Sequence, residues 1–140
     1  MVDDRHVNHD RGEKSVHATE ILARMERAIN EHDLDALADC FAEDYRCEVP
    51  HHPRLSFVGR DRVRANWTGL FAHVPDMKAT VLQSVVDGDQ VWSEWELSGK
   101  TRDGDDHLAC GVAILRAHEG RFIFSRFYLD KVDAADPGVS

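Results

Sequence analysis

The sequence predicts an α+β domain in which three N-terminal helices pack on one face of a strongly curved, mostly antiparallel sheet. Apolar residues recur at three- and four-residue steps in the first half of the chain, which is typical of amphipathic helices. After Pro75 the segments become rich in Val, Ile, Phe and Trp, and short turns that contain glycine separate them. Strands joined by such short turns must be antiparallel, because a parallel return needs a long crossover.

The helical half contains three predicted helices. The first covers Val16–Glu31, with Ser15 as its N-cap. The second begins after a cap at Asp33 and includes Phe41 among its inward residues. The third begins after Gly59 and ends before the next proline, because the residue before proline disfavours the helical conformation.

The predicted sheet begins with a short strand, Tyr45–Val49, which Pro50 ends. Four longer strands form a meander over Met77–Val86, Val91–Gly99, His107–Ala117 and Arg121–Val132. Long strands twist strongly, and helices that cover only part of a curved sheet leave a hollow. We therefore expect a central pocket, since such hollows are the usual place for a small ligand.

Composition limits the classes of partner. The 140 residues carry 17 Lys and Arg against 26 Asp and Glu, a net charge of −9, which argues against nucleic acid or an anionic membrane as partner. We expect residues 1–15 to be a disordered tail, 16–132 the folded domain and 133–140 a C-terminal tail. Without a segment that reads as a signal peptide, and with three cysteines outside any disulfide or zinc spacing, a cytoplasmic protein with reduced, buried thiols is expected.

Short sequence words carry a family resemblance. They are Ala28-Ile29-Asn30, Asp33-Leu34-Asp35-Ala36-Leu37, Phe41-Ala42-Glu43-Asp44, Glu48-Val49-Pro50, Gly59-Arg60-Asp61, Gly69-Leu70-Phe71, Gly120-Arg121-Phe122 and Tyr128-Leu129-Asp130. Together they resemble the nuclear transport factor two-like (cystatin-like) superfamily, in particular its SnoaL-like polyketide cyclase and limonene-epoxide hydrolase branches. The resemblance implies a cone-like half barrel whose central pocket holds a mostly apolar ligand, usually in a homodimer.

Two mechanisms known in this superfamily lack their residues here. The tyrosine, aspartate and second carboxyl of ketosteroid isomerases would fall near Met25, Val49 and Ala113, and none of these can do that chemistry. The first-strand tyrosine and asparagine and the middle-strand arginine and aspartate of limonene-epoxide hydrolases would correspond to Arg46, Glu48, Trp95 and Leu97. Of these hydrolase residues, only the aspartate near the end of the domain has an identical counterpart in this chain, Asp130.

Glu48 is the leading candidate for a catalytic base. It precedes Pro50 at the place where the resemblance puts a polar pocket group, and desolvation there would raise the pKa of its carboxyl toward neutrality. The alternative is a structural ion pair with Arg46, which lies two residues away on the same strand face. Arg46 is itself a candidate for substrate binding.

Three further residues are candidates for orienting or protonating a ligand. The resemblance places Asp130 at the pocket, although it could instead pair with Lys131 or Arg126 at the surface. Tyr128 shares a strand face with Asp130 and could donate to a ligand oxygen or pack as a core aromatic. His51 could move protons at the cavity mouth.

No metal is expected from the sequence. His51 and His52 are adjacent in a loop, and their spacing with Glu48 matches no zinc motif. His pairs that bind zinc from a helix are four residues apart, which makes them converge on one face.

Large apolar side chains complete the candidate pocket. Trp67, Phe71, Trp95 and Leu97 are expected to line it, with ordinary core packing as the alternative. Trp92 falls on the more polar face of its strand and is the expected contact of a homodimer through the sheet.

The sequence leaves three functions open. The favoured one is a SnoaL-like pocket protein that binds a small apolar molecule with a carbonyl or hydroxyl group and catalyses acid/base isomerisation, cyclisation or dehydration without a cofactor. The others are a non-catalytic ligand-binding or dimerisation domain, and an epoxide hydrolase with a rearranged site.

Overall fold

The computed structural model describes the backbone of residues 4–133 and the side chains of residues 17–133. In chain order the elements are α1 (Asp4–Glu31), α2 (Leu34–Asp39), β1 (Phe41–Glu48), a 3₁₀ turn (Pro53–Leu55), β2 (Phe57–Val58), α3 (Arg60–His73), β3 (Lys78–Asp87), β4 (Gln90–Lys100), β5 (Asp106–His118) and β6 (Arg121–Lys131).

The three predicted helices are present, with one change at the N-terminus. Helix α1 begins at Asp4, so Ser15 lies inside it and the helix enters the segment that the sequence assigned to a tail. Residues 1–3 and 134–140 lie outside the described part of the chain, and the division into a domain and two tails stays a prediction. The predicted cap of α2 is confirmed, since a carboxylate oxygen of Asp33 accepts a hydrogen bond from the Ala36 N–H at 3.0 Å.

The prediction for Phe41 is wrong. Helix α2 ends at Asp39, and Phe41 opens strand β1 instead. The cause is long-range pairing: Phe41 lies opposite Phe122 of β6, and the Phe122 N–H donates to the Cys40 carbonyl at 2.8 Å. Backbone groups held by a neighbouring strand cannot continue a helix.

The sheet has six strands in the order β2-β1-β6-β5-β4-β3 and is not closed. The meander β3–β6 is antiparallel throughout, as predicted. Strand β1 pairs with β6 in parallel, so the carboxyl ends of these two strands lie side by side. This arrangement confirms the predicted α+β fold with helices on one side of a mostly antiparallel sheet.

Helix α1 protects the β3 edge of the sheet. The side-chain amide of Asn30 donates to the Ala79 carbonyl at 2.9 Å and accepts from its N–H at 2.7 Å. The Glu26 carboxylate accepts from the Val81 N–H at 2.7 Å. These bonds occupy edge groups that would otherwise be free to pair with another chain.

The core lies between α1 and the inner face of the sheet. Its largest fully buried side chains include Met25 and Ile29 from α1 and Trp95, Leu115 and Phe122 from the strands. Among the described residues, no helix combines the length and hydropathy that crossing a bilayer requires.

Candidate functional site

A cavity of about 410 Å³ lies between α3 and the β1–β6 end of the sheet. Its size falls within the ordinary range for small-molecule sites. Most of its wall is apolar, from Phe41, Val49, Leu55, Phe57, Val63, Trp67, Leu70, Leu97, Phe127 and Leu129. The position of this cavity follows from local structure, because α3 presents Val63, Trp67 and Leu70 at helical spacing and β1 presents alternate residues.

Two buried polar side chains of β1 lie in the cavity wall. The Tyr45 hydroxyl hydrogen-bonds to the Ser125 hydroxyl of β6, and both side chains are almost completely buried. Burial raises the pKa of the Tyr45 phenol well above its usual value. Burial likewise raises the pKa of the Cys47 thiol, so neither group is ionised at neutral pH.

The charged groups of the cavity wall are arginines. Arg54 and Arg62 line it together with Asn66, and the Arg62 guanidinium carbon lies 6.0 Å from the centre of the Phe57 ring. Within residues 17–133, neither arginine forms an ion pair with a carboxylate. The cavity thus offers hydrogen-bond donors and positive charge to an oxygen-bearing ligand, and none of its lining residues within 17–133 is a carboxylate.

Glu48 and Arg46 lie on the other face of β1, which corrects their predicted pocket position. Tyr45 and Cys47 are buried and line the cavity, whereas Arg46 is exposed and Glu48 half-buried. A guanidinium nitrogen of Arg126 on β6 lies 3.7 Å from the Glu48 carboxylate. The physical reason is the two-residue period of a strand, which sends neighbouring side chains to opposite faces.

Asp130, Tyr128, His51 and His52 come together, but outside the cavity, so their expected pocket position is also corrected. Oδ2 of Asp130 accepts from Nε2 of His52 at 3.0 Å and lies 3.6 Å from Nε2 of His51. The Tyr128 ring stacks on His51 with centroids 5.9 Å apart. The hydrogen bond from His52 lowers the pKa of the Asp130 carboxyl. A second hollow borders this cluster. Arg54 and Leu55 line both this hollow and the cavity.

The expected aromatic lining is divided between cavity and core. Trp67 and Leu97 line the cavity. Trp95 is buried in the core, where its indole N–H donates to the Ser93 hydroxyl at 2.8 Å. Phe71 stacks on the His32 ring with centroids 4.3 Å apart, away from the cavity wall.

Sequence reasoning missed the polar part of the wall. Arg62 and Asn66 adjoin Val63 and Trp67 on the same helical stripe, and that spacing could have identified them. Sequence reasoning also predicted that all three cysteines are buried. Cys40 and Cys47 are buried, but Cys110 is exposed, because it lies opposite Asp130 and Glu96 on the outer face of the sheet.

Comparison with known proteins supports the architecture. The family model of the SnoaL-like domain matches residues 22–124. None of the curated proteins matches the chain at a significant level. A loop-truncation variant of IdmH is 25% identical over 81% of this chain and 92% of that one, with a TM-score of 0.70.

Two more solved structures share the fold at lower identity. Wild-type IdmH from Streptomyces antibioticus, named a candidate polyketide cyclase, is 23% identical over 81% of this chain and 91% of that one, with a TM-score of 0.71. A candidate ketosteroid isomerase from Kribbella flavida is 18% identical over 90% of this chain and 85% of that one, with a TM-score of 0.69.

Proposed function

The chain belongs to the SnoaL-like domain family, and from its cavity we propose that it binds a small, largely apolar molecule that carries a carbonyl or hydroxyl oxygen. The observation that carries this proposal is an apolar cavity of 410 Å³ whose charged groups, Arg54 and Arg62, have no carboxylate partner in the described chain. Apolar walls bind the body of such a ligand, and a few convergent donors fix its oxygen.

The same donors would favour chemistry at a carbonyl carbon. Arginine and amide N–H groups stabilise an oxygen that gains negative charge, as happens when a proton leaves the neighbouring carbon. Double-bond isomerisation, aldol-type cyclisation and elimination of water next to a carbonyl can each begin with this loss of an α-proton, and solved neighbours named for polyketide cyclisation and ketosteroid isomerisation fit this class. We propose binding as the primary function and this proton transfer as the reaction to test.

A base for this proton transfer is not among the described lining residues of the cavity. Tyr45 and Cys47 are protonated at neutral pH, and the Glu48 carboxylate faces Arg126 outside the cavity. If Glu48 is the base, Glu48→Gln must lower the exchange of α-protons of a bound ketone into deuterated water by roughly 10²–10⁴-fold. Exchange at the wild-type rate in this variant would exclude Glu48, and it is the outcome that the placement of Glu48 favours.

The binding proposal is tested with α-tetralone, a bicyclic ketone, against tetralin, which lacks the oxygen. Trp67 lies in the cavity wall, so its fluorescence should report occupancy. Losing a hydrogen bond to a charged donor costs about 1.5–3 kcal/mol, so Arg62→Gln should weaken tetralone binding by roughly 10- to 100-fold. Tetralin should bind Arg62→Gln and the wild type equally.

Arg64→Gln is the matched control for this test. Arg64 lies on the same helix but pairs with Asp35 at 2.7 Å, outside the cavity wall. Its substitution should leave the affinity for tetralone unchanged. Equal tetralone binding by wild type and Arg62→Gln, or equal loss in both arginine variants, would contradict the proposed role of the cavity donor.

We also propose a homodimer through the outer face of the sheet. Val85, Trp92 and Ile114 lie side by side across β3, β4 and β5, and Val85 and Trp92 are 69% and 48% exposed. On the next two strands, Arg126 of β6 lies opposite Ile114, and Glu48 of β1 lies opposite Arg126. The same face therefore carries apolar groups and charges of both signs. A two-fold interface uses one patch on both copies, which such a self-complementary face suits.

Sedimentation equilibrium tests the dimer. Trp92→Asp should shift the mass to that of the monomer, because it places a charge in the apolar part of the patch. Ala65→Asp, which adds the same charge to the exposed face of α3, should leave the dimer intact. A monomeric wild type, or a dimeric Trp92→Asp variant, would refute this interface.

We also propose a cytoplasmic location. The buried free thiols Cys40 and Cys47 support a reducing compartment of this kind.

A further inference from the structure

Two histidines and one aspartate converge beside the rim of the cavity. His51 and His52 lie in the loop after β1, and Asp130 lies near the end of β6. One ligand atom from each side chain falls within 4.8 Å of the other two. We propose that these three residues bind a divalent metal ion, and that Zn²⁺ is the ion whose ligand preference they fit, since imidazole nitrogen and carboxylate oxygen are its common ligands.

The separations agree with a shared ion. Ligand atoms about 2.0–2.2 Å from a tetrahedral Zn²⁺ are roughly 3.4 Å from one another. Oδ2 of Asp130 lies 3.0 Å from Nε2 of His52 and 3.6 Å from Nε2 of His51, on either side of that value. Both separations therefore agree with two ligand atoms on one tetrahedral ion.

The topology explains why adjacent histidines can serve here. The third ligand is far away in the chain, but β1 and β6 are parallel neighbours, with Glu48 opposite Arg126. The loop that leaves β1 therefore passes the end of β6, where Asp130 lies. Spacing along the sequence does not show that this loop lies beside the end of β6.

Hydrogen bonds hold the loop in place. The His52 N–H donates to the Val49 carbonyl at 3.0 Å, and the Leu55 N–H donates to the His52 carbonyl at 2.9 Å. The Ser56 hydroxyl accepts from the Val49 N–H at 2.9 Å. Pro50 and Pro53 fix backbone angles on both sides of the histidines. A loop fixed in this way loses little entropy when it binds an ion.

Neighbouring groups also orient the ligands. Oδ1 of Asp130 accepts from the Lys131 N–H at 3.1 Å, which leaves Oδ2 for the histidines. The Tyr128 ring, nearly parallel to His51 at an angle of 19°, supports that imidazole. Such outer partners raise metal affinity by holding ligands in the bound orientation.

Three protein ligands leave a coordination position open. The hollow beside the cluster provides space for a water molecule or a ligand oxygen at that position. Arg54 and Leu55 line both this hollow and the apolar cavity, so the ion would lie beside the cavity mouth. Zinc sites with an open position of this kind bind water or substrate, whereas structural sites have four protein ligands.

Calorimetric titration of the full, metal-stripped chain without an affinity tag, using ZnCl₂ at neutral pH, tests the site. We expect the tightest Zn²⁺ to bind once per chain, and its affinity to fall at least about tenfold in His52→Gln and in Asp130→Asn. His118→Gln is the matched control, because His118 is an exposed histidine 3.7 Å from a single carboxylate, Glu119. It should leave that affinity unchanged.

A second measurement needs no variant. In the wild-type chain, the imidazole NMR signals of His51 and His52 should shift together on addition of one equivalent of Zn²⁺, before those of His118. Equal affinity in wild type, His52→Gln and Asp130→Asn would overturn the proposal. So would the absence of measurable binding, or shifts at His118 that occur first. None of these outcomes depends on whether the apolar cavity binds a ketone.

Discussion

The buried pair Tyr45–Ser125 gives the sharpest test of how the cavity wall is held together. Their hydroxyls bond to each other across β1 and β6, and the two side chains are 1% and 0% exposed. Tyr45→Phe removes one hydroxyl and keeps the ring, so the change in packing is small. It leaves the Ser125 hydroxyl without its partner in a place that water does not reach.

The expected cost follows from that burial. An unsatisfied buried polar group costs about 1–3 kcal/mol, and the nearby Cys47 thiol, a weak hydrogen-bonding group, recovers only part of it. We expect Tyr45→Phe and Ser125→Ala each to lower the free energy of unfolding by about 2 kcal/mol. The double variant should lose less than the sum by at least about 1 kcal/mol, because removing both partners leaves no hydroxyl unsatisfied.

Urea unfolding of the wild type, both single variants and the double variant measures this coupling. The slope of the unfolding free energy against urea concentration should be the same in all four proteins, since the surface exposed on unfolding hardly changes. Thr68→Ala, which removes an exposed hydroxyl that donates to the Arg64 carbonyl at 2.7 Å, is a control and should change stability by less than about 0.5 kcal/mol. Additive losses within error, or a Tyr45→Phe variant as stable as the wild type, would refute the reasoning.

Two more predictions concern β5 and the thiols. Gly111→Ala should destabilise the fold by at least about 3 kcal/mol in thermal or urea unfolding, because its φ of +151° and the close Tyr128 carbonyl leave no place for a Cβ; a stable variant would contradict this close approach. A thiol reagent at pH 7.5 should modify Cys110 quickly and spare Cys40, whose pKa burial raises to about 11. The same shift predicts that the contribution of the neutral Cys40 thiol to stability is complete below about pH 9 and is lost as the pH rises toward 11. Modification of all three thiols at one rate would contradict the first statement, and urea unfolding over this pH range checks the second.

Local pattern was enough to predict most of the fold. The apolar stripe of α1, the Asp33 cap and the glycine-containing turns of the meander each act over a few residues, and each was found where expected. The errors occurred where distant backbone decides the local structure. Phe41 follows a helix in sequence, but pairing with Phe122 makes it the first residue of a strand.

The site was harder to predict than the fold because it depends on which face of a strand each residue occupies and on what covers that face. Trp67 and Leu97 were identified as wall residues, but Trp95, on the same face of β4 as Leu97, packs in the core. A sequence shows which residues share a face of a strand. It does not show where helix α3 leaves that face uncovered, and only that gap separates a wall residue from a core residue.

The face of β1 on which each residue lies also determines which chemistry the cavity can perform. In Tyr45–Val49 the alternate residues Tyr45, Cys47 and Val49 face the cavity, so Arg46 and Glu48 face outward. A shift of one residue in β1 would reverse this and turn the Glu48 carboxylate toward the cavity. In the actual register, Arg62 forms no ion pair within residues 17–133, and Asp130 meets His51 and His52 near the end of β6. Positive donors in the apolar cavity and metal-binding groups outside it are therefore two results of one register, and each can be tested without the other.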